Sequence, residues 1–181
     1  MQNDSECHSL TKLESNYIVW FLNLKSTKNK TDECFMSALK EEASFETVEE
    51  FWGIYQHMKK PLTIVKNSNF YIFKEGIKPM WADPQNQNGG RLIVCFKKEM
   101  KKNVNTAWEE LLIGFLLLDQ DRIKINGVSL DIKFNDINIC LWMPPKTPEE
   151  LEVAREWFKR VTAVTPEVKI DYKAHPQSLS T

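Results

Sequence analysis

Apolar residues return along this chain with two different periods. The runs YIVWFLNL (17–24), NFYIF (69–73), RLIVCF (91–96), RIKI (122–125), SLDIKF (129–134) and INICLW (137–142) have the length and the β-branched, aromatic content of strands. VKIDY (168–172) adds a short last one. Elsewhere helical spacing takes over, in Phe51/Tyr55/Met58, Leu111/Leu112/Phe115/Leu118 and Leu151/Ala154/Trp157/Phe158/Val161. Each of these three segments carries a Thr-x-x-Glu signal: Thr47 to Glu50, Thr106 to Glu109 and Thr147 to Glu150. In such a capping box the Thr side chain accepts from a backbone N–H of the first turn while the Glu reaches back, and Pro148 sits at the favoured first helical position. Asn126-Gly127 and Asn135-Asp136 predict hairpin turns on either side of SLDIKF.

Strands and helices do not alternate regularly enough for a parallel α/β sheet. The pattern predicts an α+β fold in a single domain: an antiparallel sheet of about six to eight strands with three long helices on one face. Alternation sends Leu130, Ile132 and Phe134 one way and Asp131, Lys133 and Asn135 the other. In the next strand Ile137, Ile139 and Leu141 point together, opposite Asn138, Cys140 and Trp142. The apolar set should meet the helices. The other face is then left with a lysine, two amides and a tryptophan, a combination suited to a flat, anionic ligand such as a nucleotide.

Bulk properties narrow the function classes. A chain of 181 residues with 42% hydrophobic and 27% charged residues can bury a substantial core. A net charge of −1 argues against coating long stretches of nucleic acid, but not against reading one base. Cys7, Cys34, Cys95 and Cys140 are too scattered for a metal site and are expected as reduced thiols of a cytoplasmic or nuclear protein. No apolar run is long enough for a membrane span, and no cofactor or metal motif is present. The expected limits are a flexible N-terminal tail over 1–14, the domain over 15–174 and a short tail over 175–181. KKEMKK (97–102) reads as a solvated loop, Trp20, Trp108 and Trp157 read as core, and His8, His57 and His175 have no catalytic arrangement. One tryptophan stands apart: Trp81 lies in a Pro-, Asn- and Gly-rich loop segment between Lys74 and Leu92.

At this level the residues resemble a known family. VWFLN, TVEEFWGIYQHM, FKEGIKPMW, NGGRL, TAWEELL and the ICLW strand end occur in the order and spacing of the eukaryotic translation initiation factor 4E family, the proteins that bind the 7-methylguanosine cap of messenger RNA. The resemblance runs from about Tyr17 to Tyr172. It implies a monomeric, cupped antiparallel sheet backed by three helices, with the cap in the concave side and factor 4G on the helical back. It implies no cofactor and no catalysis. Residue by residue, it places Trp81 and Phe35 on the two sides of the methylated base and Trp142 near the N7-methyl group. Methylation makes the base cationic, so aromatic faces attract it by stacking and by cation–π interaction.

The departures are specific. A glutamate that should follow the loop tryptophan and accept from the guanine edge is Ala82 here, with Asp83 one residue on as a possible substitute acceptor. Arg91 and Lys133 match basic phosphate-binding residues, whereas Asn135 and Asn138 replace further Lys or Arg. Around the first predicted helix, Val48 and Trp52 widen the apolar arc and match residues that receive a short helical motif of factor 4G or of repressors that mimic it. Leu112 is expected to close that patch, beside Glu109. Two readings follow: a cap-binding initiation factor of altered or reduced affinity, or a regulator that keeps the scaffold surface and has lost the cap.

Overall fold

A computed structural model describes residues 10–23, 32–97, 103–119, 121–164 and 168–176 of the chain. In chain order the elements are β1 (Lys12–Asn23), α1 (Asp32–Ala38), β2 (Leu39–Thr47), α2 (Val48–Tyr55), β3 (Ser68–Lys74), β4 (Gly90–Phe96), α3 (Val104–Leu116), β5 (Gly127–Ile132), β6 (Ile137–Met143), α4 (Pro148–Val161) and β7 (Ile170–Ala174). The strands form one seven-stranded sheet in the order β2-β1-β3-β5-β6-β4-β7, with every recorded pairing antiparallel. The α+β class and the strand number match the expectation.

Two of the three capping boxes form as the sequence reads. Thr47 and Thr147 each accept from the backbone N–H three residues on, and Glu50 and Glu150 accept from the backbone of the Thr. The third does not. Helix α3 already begins at Val104, behind an Asn103 whose side chain makes no cap bond, so Thr106 lies inside the first turn. The "long helix" expectation also fails for α2, which has 8 residues.

RIKI (122–125) is not a strand. Ile123 and Ile125 are buried and Arg122 and Lys124 exposed, so the alternation is real, but the segment finds no ladder. Asn126-Gly127 is not a two-residue hairpin turn either. Asn126 links neighbouring segments, accepting from Lys74 N (3.0 Å) and donating to Trp142 O (2.9 Å). Gly127 already belongs to β5, and a Cβ there would collide with the Phe73 ring. The glycine is required for close approach, not for a turn. Conversely β2, LKEEASFET, was too charged to read as a strand. It lies at the sheet edge, where charge discourages pairing with another chain.

Lys12–Glu14 belong to β1, and His175 is buried. Residues 1–9, 177–181 and most of KKEMKK lie outside the described residues.

Most of the core lies on the helix side. Leu130, Ile132, Ile137, Ile139 and Leu141 pack there with Phe51, Trp108, Leu111, Phe115, Trp157 and Phe158 in one continuous cluster. This is the apolar set that alternation predicts. Phe134 escapes it, 66% exposed in the β5–β6 turn with the Lys66 ammonium 4.4 Å from its ring centre. A second, smaller cluster covers the opposite face: Leu22, Leu39, Tyr71, Phe73, Ile93, Cys140 and Trp142. Trp108 and Trp157 are core as expected, whereas Trp20 packs on this second face.

Candidate nucleotide-binding face

Strand register fixes what the face away from the helices carries. One row across the sheet runs Phe73, Gly127, Trp142, Arg91, Lys173. The next runs Trp20, Tyr71, Ser129, Cys140, Ile93, and the one beyond it Leu22, Asn69, Asp131, Asn138, Cys95. The β1–β3 side of this face is therefore aromatic and apolar, and the β5–β6–β4 side polar. Phe35, on α1, is half-buried against the apolar part, together with Trp20, Ala38 and Ile77.

Trp142 forms the floor of this face. It is only 3% exposed, meets Phe73 edge-on (5.4 Å between ring centres) and lies 4.7 Å from the His175 ring. Its indole N–H donates to Ser129 Oγ at 3.0 Å, and the Arg91 guanidinium stands 5.4 Å from the ring centre. Ser129 passes the polar chain on, donating to Asp131 Oδ1 (3.2 Å), and Cys140 Sγ lies 3.7 Å from Oδ2. Arg91 Nη1 is 3.5 Å from the same Oδ2. Burial raises the Asp131 carboxyl above the usual range, opposed first by the positive charge of Arg91. The Cys140 thiol is pushed well up by burial and by the Asp131 charge. Asn138 is buried beside Asp131 in the register, whereas Lys133 and Asn135 are exposed in the turn that follows β5.

The loop between β3 and β4 is held by its own side chains. Asp83 accepts from Lys78 N and Gln85 N, one carboxylate oxygen each, both at 2.9 Å. Asn86, fully buried, donates to Lys78 O and Met80 O, both at 2.9 Å. Asn126 donates to Gln85 O (2.7 Å) and Asn86 Oδ1 (2.9 Å), and His175 Nδ1 meets Asn86 O at 2.8 Å. These bonds tie the loop to the start of β5 and the end of β7. On that frame Trp81 remains 46% exposed, with Ala82 exposed beside it. Asp83 thus shapes the loop through both of its carboxylate oxygens. His175 and Asn86 are constituents of the site that sequence reasoning missed; only the register of β7 against β4 brings His175 here.

The helical side offers a different surface. Trp52 is 42% exposed, leaning on Phe51 and Tyr55, and Val48 one turn earlier is half-buried. Leu112 does not close this patch: it is 0% exposed, in the core. From α3, Glu109 reaches α2 and accepts from Tyr55 OH at 2.9 Å. Lys60 Nζ lies 2.9 Å from the same hydroxyl, 3.4 Å from Glu109 Oε2 and 4.2 Å from the Tyr55 ring centre. Burial raises the Tyr55 pKa. Beyond α2 lies an open groove of about 580 Å³, lined by Phe21, Ile54, Met58 and Phe70 among others.

A sheet with helices on one side and an aromatic, polar face on the other defines a small α+β domain with two separate candidate surfaces. Among the described residues no group of three or more side chains could hold a metal ion. No described helix is long and apolar enough to cross a membrane. Residues 12–181 match the family Eukaryotic initiation factor 4E, and the chain belongs to that family of binding factors, which are not enzymes. It is 33% identical over 170 residues to the translation initiation factor isoform 4E of Solanum lycopersicum, covering 92% of this chain and 81% of that one. The Capsicum annuum isoform is 34% identical over 171 residues, with 92% and 80% covered. Among solved structures, Ascaris suum eIF4E-3 in complex with the m2,2,7G cap is similar with a TM-score of 0.81, 26% identity and 93% of each chain covered. C. elegans eIF4E-3 with the 4E-binding protein Mextli and cap analog gives 0.80 and 26%, covering 92% of this chain and 94% of that one.

Proposed function

We propose that this protein binds the 7-methylguanosine cap of mRNA on its open face and acts in translation initiation in the cytoplasm. Trp81 and Phe35 cover the two faces of the methylated base, and Trp142 supports them from below. Arg91, Lys133, Asn135 and Asn138 meet the phosphate chain. The observation that carries this reading is Trp81: a large aromatic left half in water on a loop built to hold it still. A cationic base between two rings gains about 1–3 kcal/mol per stacked face. The Ascaris suum relative solved with m7G and m2,2,7G caps supports the cap as the class of ligand.

On the helical side Val48 and Trp52 receive a short amphipathic helix of a factor 4G-like scaffold or of a 4E-binding protein, laid as a helix in a groove. The relative bound to Mextli supports this class of partner. Glu109, in place of Leu112, borders the patch, so the partner meets a carboxylate and not a further leucine there.

A second reading has its own observations. Ala82 supplies no acceptor for the guanine edge, and Arg91 already has a carboxylate beside it. Both favour a regulator that holds the scaffold while binding the cap weakly. Titrating intrinsic tryptophan fluorescence with 7-methyl-GTP and with GTP separates the two. Saturable quenching by the methylated ligand supports cap binding; no response to it up to millimolar concentration leaves the regulator.

A further inference from the structure

Asp131 is the buried charged group of the open face, and the cap-binding reading leaves it without a role. Its side chain is 10% exposed, and its carboxylate is shared among Ser129, Cys140 and Arg91. In its row it lies between Asn69 and Asn138, two neutral amides. Arg91 lies two rows away, across the Ser129–Cys140 row, with its side chain 20% exposed and directed both at the Asp131 carboxylate and over the Trp142 ring. A guanidinium in that position is the natural partner for an anion following a base onto Trp142. A carboxylate held within reach of it offers a negative charge and two acceptor oxygens, the features by which a phosphate edge would also engage a guanidinium. Two anions cannot both take the guanidinium fully, and in a poorly solvated site their mutual repulsion is strong.

We propose that Asp131 is a built-in competitor for Arg91, an internal anion that lowers the contribution of the ligand's phosphates and leaves recognition to the base. The inference rests on the cap-binding reading for its ligand and deepens it. The site favours the methylated nucleoside moiety, and phosphates beyond it add little. Trp142 links the two halves, because its N–H reaches Asp131 through Ser129. Anything that draws Arg91 away from Asp131 is felt on the indole that supports the base.

The test measures dissociation constants of 7-methylguanosine, 7-methyl-GTP and inorganic tripolyphosphate for the full chain and for Asp131→Asn. The amide keeps the shape and, through its oxygen, the bond accepted from Ser129, turns its NH2 toward Cys140 Sγ, and removes the charge. The variant should bind 7-methyl-GTP at least about tenfold tighter, equivalent to about 1.4 kcal/mol, and 7-methylguanosine within about twofold of the parent. Tripolyphosphate should gain in the same direction. An equal gain for 7-methylguanosine, or no gain for either phosphate ligand in a variant of normal melting temperature, overturns the proposal. If neither protein binds any methylated guanine but the variant gains tripolyphosphate, the competitor stands and the cap reading falls. Should Asp131→Asn not fold, Asp131→Ser carries the same comparison. NMR on the parent chain is a further check: the Arg91 guanidinium signals should be slowly exchanging in the free protein and move on adding tripolyphosphate. Signals of a freely rotating guanidinium overturn the proposal.

Discussion

The two faces of the sheet are built to opposite rules. On the helix side Leu130, Ile139, Leu141, Leu111, Leu112 and Phe115 meet in a continuous apolar cluster. On the open face a small apolar floor borders buried Ser129, Asp131 and Asn138, each drawn into a polar network or row. The first arrangement contributes stability through area removed from water. The second takes charge and amide groups out of water, which costs free energy unless they are partnered, and is better understood as preparation for a ligand. One surface holds the molecule together, and the other holds buried polar groups that are partnered with one another beneath the exposed Trp81 loop.

The comparison breaks most visibly at Leu112. Leu112→Ala should cost about 2–5 kcal/mol of stability, read by urea denaturation, because a fully buried side chain leaves a cavity. A loss of partner binding without that destabilisation would return Leu112 to the docking surface. Trp52→Ala should do the reverse. Its stability cost stays well below that of Leu112→Ala, while affinity for a factor 4G-type helical peptide falls by about 2 kcal/mol or more, as for a central interface aromatic. Unchanged peptide affinity in a calorimetric titration would remove Trp52 from the partner face.

That pair of residues also marks what could be read from sequence. Periodicity placed Leu112 on an apolar helix and could not tell its inward side from its outward side, since Glu109 reaches α2 only through the packing of α3 against Tyr55. Capping boxes at Thr47 and Thr147 were legible because the partners are three residues apart. Alternation assigned Asp131, Asn138 and Trp142 to one face and Leu130, Ile139 and Leu141 to the other without any structure. What stayed hidden depends on register between distant strands: Arg91 with Asp131, His175 with Asn86, and Gly127 under Phe73. Strand β2 is illegible for another reason: Leu39 packs on the open face and Ala43 and Phe45 on the helix side, with a register shift between them, so its few apolar residues follow no single alternation.

On the open face, Ala82→Glu should restore an acceptor for the guanine edge. It should tighten 7-methyl-GTP by about 1.5–3 kcal/mol, the contribution of hydrogen bonds to a charged group. Equal affinity before and after the substitution would mean that the base edge is met elsewhere. The smallest effect concerns pH. Burial lowers the His175 pKa, ahead of the opposing bond to Asn86 O. A depressed histidine binds its proton more readily in the unfolded chain, so its contribution is fully present above the ordinary histidine pKa and shrinks as pH falls below it. Stability should therefore decline modestly from pH 7 toward pH 5.5, and less in His175→Asn. A flat profile in the parent chain would detach His175 from the loop it is bonded to.

The central claim is that Trp81 is held out on its loop for a methylated base. Fluorescence titration of the parent chain and of Trp81→Ala with 7-methyl-GTP tests it most directly, with GTP as the control. The account predicts saturable quenching by 7-methyl-GTP in the parent, weaker quenching by GTP, and an affinity loss of about tenfold to a hundredfold in Trp81→Ala. Equal affinity of the two proteins for 7-methyl-GTP would contradict it.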